Sequence, residues 1–127
     1  MDSIQSIQIF VAINLFIVGL SHFIRPKIWV DFFEFLHSKN NVGNIINALI
    51  ALGMGSIILA FHFIWKGFEV LITLYGLSQV IKGLVYLIFP SIGIKNIGKV
   101  TPEKASTFKW SGLIMALIST TIFINLI

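Results

Sequence analysis

The feature that most constrains this chain is a set of four apolar blocks, each long enough to cross a bilayer. A helix needs about 20 residues to span the roughly 30 Å hydrocarbon layer. The blocks lack the alternating polarity of barrel strands, so they predict helices. Only 11% of the 127 residues are charged, against about 25% in soluble domains. We expect an all-α membrane protein, with residues 1–127 forming one domain of four transmembrane helices at about 4–24, 45–64, 68–89 and 108–127.

The placement of basic residues predicts the orientation of these helices. Basic loops stay in the cytoplasm, so we expect both long connections inside and both termini outside. Basic residues at a membrane surface favour anionic lipid by about 1 kcal/mol each. They adjoin the spans without a recognition motif, so nucleic acid is not an expected partner. The first long connection carries Arg25, Lys27 and Lys39, the second carries Lys95, Lys99, Lys104 and Lys109, and the short middle connection carries only Lys66.

The sequence contains an internal repeat at an offset of 64 residues. Gly19-Leu20 and Pro26 in the first half align with Gly83-Leu84 and Pro90 in the second. Each proline is expected to end its span, because proline disfavours helix at the residue before it. An even number of crossings separates the halves, so the repeat is parallel rather than inverted. We therefore expect two tandem parallel helical hairpins, repeat 1 at about 4–64 and repeat 2 at about 68–127.

The segment after Pro26 has the pattern of a short amphipathic helix lying in the membrane interface. Its polar face holds Lys27, Asp31, Glu34 and Ser38, and its apolar face holds Trp29, Phe32, Phe33 and Leu36. The apolar face is expected to anchor the helix in the interface; the alternative is a docking surface for a partner protein. The matching segment of the second half, residues 91–100, contains two glycines and is expected to be looser and less helical.

Small residues at helical spacing mark candidate packing faces. Without a hydrophobic force between helices in lipid, small side chains let backbones approach closely. Ala51 and Gly55 lie four residues apart in the second span, and Gly112, Ala116 and Thr120 do so in the fourth. These faces are expected to pack within the bundle or between copies of the chain.

The third span carries a polar stripe around a charged residue. An intramembrane charge is costly and is a functional hypothesis by default. The stripe could form a cavity that binds an anionic headgroup or small solute. The alternative is that the lysine snorkels toward the cytoplasmic surface. Its members are Tyr75, Ser78, Gln79, Lys82 and Tyr86.

No pattern in the chain indicates catalysis. It has no cysteine, and its three histidines, His22, His37 and His62, fall in different places without acidic ligand spacing. We expect neither enzymatic activity, nor a metal, nor a cofactor. The favoured function is that of a non-catalytic accessory or structural subunit, with membrane lipid and either a membrane-protein partner or a second copy as partners. The alternative is a small transporter or channel, or a lipid or solute binder that uses the stripe.

Gly19-Leu20, Pro26-Lys27-Ile28-Trp29 and the Gly-rich second span together resemble the YjeT-like family of small bacterial inner-membrane proteins. The similarity covers about residues 13–62, and the second half repeats it without the Lys-x-Trp. It implies a bacterial inner-membrane location and an accessory role without known catalysis. This chain has Val18 where the family often has an acidic residue. A weaker similarity is to DoxX-like four-helix proteins.

Overall fold

The computed structural model describes residues 2–127, and this part of the chain consists of helices without a strand. Four helical segments are long and apolar enough to cross a membrane, which confirms the predicted fold class. The second span begins at Asn40 rather than near residue 45, because backbone hydrogen bonds extend the helix through a polar first turn. The elements are α1 (Ser3–Ile24), α2 (Pro26–Ser38), α3 (Asn40–Phe61), α4 (Val70–Ile88), α5 (Pro90–Ile97), a 3₁₀ turn (Pro102–Lys104) and α6 (Ala105–Leu126).

The chain divides into two compact units. The first unit comprises the chain up to Phe32 together with Thr101–Ile127, and the second comprises Phe33–Val100. In the first unit α1 packs on α6. In the second unit α3 packs on α4, and α5 contacts both. Each pair therefore joins one span from each half of the sequence.

In the first unit, α1 and α6 cross at two glycines. A Cβ atom added at Gly19 would lie 2.7 Å from the Gly112 carbonyl oxygen and 3.0 Å from the Ala116 amide nitrogen. A Cβ at Gly112 would lie 2.7 Å from the Phe23 amide nitrogen. Both positions need glycine because the neighbouring helix presents backbone atoms, which cannot turn aside as a flexible side chain could.

In the second unit, α3 and α4 cross at positions that the same 64-residue offset relates to the first crossing. A Cβ at Gly83 would lie 3.1 Å from the Ala48 carbonyl oxygen and 2.8 Å from the Leu52 Cβ. Adding 64 to Ala48 and Leu52 gives Gly112 and Ala116, which are the residues that Gly19 meets. A second close approach occurs where Gly55 of α3 meets Gly76 of α4, with 2.6 Å from an added Gly55 Cβ to the Gly76 oxygen.

The offset also relates other buried positions of the two units and the ends of their first spans. The buried residues Ala12, Ser119 and Ile122 of the first unit correspond to Gly76, Gly55 and Ile58 of the second. The amide of Arg25 donates to the Ser21 oxygen at 2.8 Å, and the amide of Phe89 donates to the Val85 oxygen at 2.8 Å. In each half, the proline that follows opens the next helix.

The expectation that residues 91–100 are less helical than the matching segment of the first half is confirmed in length, with 8 helical residues in α5 against 13 in α2. The segment forms α5, which begins at Pro90 and ends at Ile97. Gly93 is buried in this helix, and an added Cβ would collide with the Asn44 side-chain oxygen. The helix keeps this glycine because it lies against α3, and that packing outweighs the roughly 1 kcal/mol that glycine loses in helix propensity relative to alanine.

Candidate functional site

The stripe predicted on the third span lies along α4. Tyr75, Gln79 and Lys82 are half-buried. Ser78 is exposed, and its hydroxyl donates to the Tyr75 carbonyl oxygen at 2.7 Å. The Lys82 ammonium lies 5.8 Å from the centroid of the Tyr86 ring, within cation–π range. Lys82 and Tyr86 are therefore the members that lie together, while Ser78 is engaged with its own helix.

Lys82 lies near the C-terminal end of α4, one turn before Tyr86, and its ammonium meets the Tyr86 ring. Six residues separate Lys82 from Ile88, where α4 ends, or about 9 Å at 1.5 Å per residue.

Tyr86 is held by amide side chains from both neighbouring helices. Its hydroxyl accepts a hydrogen bond from the Asn96 side chain of α5 at 3.0 Å, and its carbonyl accepts one from the Asn44 side chain of α3 at 2.9 Å. Asn44 is 1% exposed, and its oxygen has no hydrogen-bond partner among the described residues; it packs on Gly93. We name Asn44, Tyr86, Gly93 and Asn96 the amide junction, because they join α3, α4 and α5. No sequence pattern marks either asparagine as part of a site.

The first unit has an aromatic cluster at the positions that correspond to the amide junction. Subtracting 64 from Tyr86 and Gly93 gives His22 and Trp29, and adding 64 to Asn44 gives Phe108. The His22 ring stacks on Trp29 at 4.1 Å and lies 5.5 Å from Phe108. The His22 Nδ1 atom donates to the Val18 oxygen at 2.7 Å. Equivalent positions of the repeat therefore hold stacked aromatic rings in the first unit and hydrogen-bonded amide side chains in the second.

The predicted anchor residues of α2 differ in exposure. Trp29 and Phe33 are half-buried, Leu36 is 1% exposed and Phe32 is 37% exposed. The Trp29 indole donates to the Ser21 hydroxyl at 2.9 Å, which fixes α2 to the end of α1. The four polar residues of the opposite face are all exposed, and Ile28 helps Trp29 and Phe32 to line an open apolar groove. That this face lies in a membrane interface stays a prediction.

Most of the predicted packing residues lie in helix contacts. Ala51 and Gly55 are buried in the second unit and Gly112 is buried in the first, where Ala116 is half-buried. Thr120 is exposed and its hydroxyl donates to the Ala116 oxygen of its own helix at 2.9 Å. The buried residue beside Thr120 is Ser119, which a four-residue spacing counted from Gly112 does not include.

A second polar cluster, also missed from the sequence, secures the connection between α3 and α4. His62 is 0% exposed, and its Nδ1 atom lies 3.0 Å from the Thr73 hydroxyl. That hydroxyl also accepts from the Ile64 amide at 3.1 Å and donates to the Ile64 oxygen at 2.9 Å. Burial lowers the pKa of His62 below 6.5, and the charge of Glu69 opposes this in part. Gly67 turns the chain in a left-handed conformation with φ +68°.

Among residues 2–127, no group of three His, Cys, Asp or Glu side chains could hold a metal ion. No family model, no curated protein and no solved structure matches the chain.

Proposed function

We propose that this small integral membrane protein is a non-catalytic accessory subunit that packs against the transmembrane helices of a partner membrane protein. The supporting observation is how the polar and small residues of its spans are used. Gly55 of α3 meets Gly76 of α4, with 2.6 Å from an added Gly55 Cβ to the Gly76 oxygen, and the Asn44 side chain of α3 donates to the Tyr86 oxygen of α4 at 2.9 Å. Such residues act as helix–helix contacts in lipid, so the chemistry of the spans serves assembly.

The outer face of α3 supports a specific place for that assembly. Successive helix residues turn by about 100°, so Gly53 lies opposite Gly55, the residue that meets α4. Nothing lies within 4 Å of a Cβ added at Gly53. Ser56 and Ala60, which follow Gly53 on the same face by about one and two turns, are also exposed. On the inner face of α3, Gly55 packs directly on Gly76 of the neighbouring helix α4. A glycine on the outer face can receive a transmembrane helix of a partner in the same way.

The remaining parts of the proposal concern origin, location and orientation. The similarity to the YjeT-like family supports a bacterial inner membrane, and the lysine-rich connections support a cytoplasmic position for both. The shared offset of buried positions and glycine crossings supports duplication of a hairpin. In such a duplication each span of one half can pack on a span of the other half, as α1 does on α6 and α3 does on α4.

The experiment is site-specific photo-crosslinking in the native membrane, followed by mass spectrometry of the adducts. A photoreactive residue at Gly53 is expected to give one dominant protein adduct. The matched control is Ile114, which is 58% exposed on α6 beside the large side chains of Trp110 and Leu117; it is expected to give lipid adducts only. A second copy of this chain as the adduct of Gly53 would identify a homo-oligomer in place of a partner. Lipid adducts alone at both positions would contradict an assembly role for this face.

A further inference from the structure

Lys82 leads to a binding site that assembly alone does not explain. It is the only formally charged residue in α4, and it is half-buried. The structure gives it no carboxylate partner among residues 2–127; its ammonium contacts the Tyr86 ring. A charge within a span requires water, a counter-charge or a surface within reach. Lys82 lies only six residues, about 9 Å, before the C-terminal end of α4, so a counter-charge can reach it most directly from that end.

The surroundings of that end are basic. Residues 70–100 contain three lysines and no aspartate or glutamate. Lys95 and Lys99 are exposed on either side of Asn96, and Asn96 is the residue that donates to the Tyr86 hydroxyl at 3.0 Å. These contacts hold the Lys82 ammonium, the Tyr86 ring and Asn96 in one place within the second unit, near the two exposed lysines. A cluster of this charge and polarity attracts an anion.

The apolar surface beside Lys82 indicates which kind of anion. Leu74 and Ile81 lie about a quarter turn around α4 from Lys82, on its N-terminal side, and are 45% and 50% exposed. A free inorganic anion would gain nothing from these side chains, whereas an acyl chain would cover them. A phosphate group attached to a lipid tail matches this combination of a lysine within the span, lysines at the membrane surface and exposed apolar side chains along α4.

We propose that Lys82, Tyr86 and Asn96 form a binding site for an anionic phospholipid. Lys82 contacts the phosphate from the membrane side, Lys95 and Lys99 contact it from the aqueous side, and an acyl chain lies along α4. Tyr86 and Asn96 position the lysine and close the site at the end of α5. The amide junction fixes Tyr86 by its backbone, so the site is built before the lipid arrives.

The test uses the full-length protein in nanodiscs of equal parts phosphatidylcholine and phosphatidylglycerol, with retained lipid counted by native mass spectrometry. The wild-type chain is expected to retain phosphatidylglycerol in preference to phosphatidylcholine. Lys82→Met is expected to lower that retention about tenfold, as loss of one charge-assisted contact would. Lys82→Arg keeps the charge and is expected to retain the lipid. Lys66→Met removes the same charge beyond the opposite end of α4 and is expected to behave as wild type.

Several results would overturn the proposal. Equal retention by the wild-type and Lys82→Met proteins would do so, and so would an equal loss in Lys66→Met, since that would indicate general surface charge. Displacement of phosphatidylglycerol by inorganic phosphate, with phosphate bound in its place, would assign the site to a free anion. Tyr86→Phe gives an independent measurement: it keeps the ring but breaks the link to Asn96, and an unchanged retention would contradict the positioning role.

Discussion

The glycine crossing of the first unit makes a quantitative prediction for Gly112→Ala. A Cβ at this position would lie 2.5 Å from the His22 Cβ and 2.7 Å from the Phe23 amide nitrogen. These separations are about 0.7–0.9 Å below the 3.4 Å at which ordinary contact begins. Because α1 presents backbone atoms here, the two helices must move apart. Overpacking of this kind costs about 1–3 kcal/mol, which is roughly a 5- to 150-fold change in the unfolding equilibrium.

The assay is reversible unfolding in mixed micelles, with increasing denaturing detergent and helix content as the signal. Gly112→Ala is expected to unfold at a lower fraction of denaturing detergent than the wild-type protein. The control is Gly53→Ala, the same chemical change where nothing lies within 4 Å of the new atom; it is expected to match the wild type or exceed it slightly. If the two variants had the same stability, the close backbone approach of α1 and α6 would be refuted.

Three further predictions concern the remaining contacts. Trp29→Ala removes the His22 stack and the bond to Ser21, so amide exchange in α2 is expected to quicken several-fold, whereas Ile28→Ala, at a 54% exposed neighbour, is expected to leave it unchanged. Gly93→Ala is expected to displace α5, because its Cβ collides with Asn44; fast tryptic cleavage after Lys95 would reveal this, and wild-type resistance would contradict it. The pKa of His62 is lowered by burial, so the unfolded chain binds the proton more readily and stability falls as pH drops below about 6.5. The protection of amides at residues 62–69, which is exchange relative to the intrinsic rate at each pH, should therefore fall between pH 7.5 and 5.5 in the wild-type protein but not in His62→Gln.

The spans could be predicted from the sequence because length and apolarity alone determine them. Which spans pair could not, because every apolar helix satisfies the same condition and the choice depends on backbone approach. Gly19 and Gly83 are visible in the sequence as a repeat, but their contacts with Gly112 and Ala48 are visible only in the fold. The 64-residue offset nevertheless relates the two crossings. The repeat therefore agrees with this pairing of spans, although the sequence alone does not show which spans pair.

The candidate site was predicted in part for a similar reason. The stripe around Lys82 follows from helical spacing. The amide junction does not, because Asn44 and Asn96 lie in segments distant in sequence from Tyr86, and only α5 as a helix brings Asn96 to its hydroxyl. Glycine propensity predicts the shorter helix at α5, but it does not predict the close packing on α3 that Gly93 allows.

The most direct test of the account is the position of single cysteines relative to the membrane. The chain has no cysteine of its own, so substitutions at Ser3, Ser38, Lys66, Lys99 and Asn125 each give one reactive group at an exposed position. An impermeant maleimide applied to intact cells stripped of their outer wall is expected to label the variants at Ser3, Lys66 and Asn125. Those at Ser38 and Lys99 should react only after permeabilisation. The reverse pattern, or labelling of all five from outside, would contradict four membrane-spanning helices with cytoplasmic basic connections.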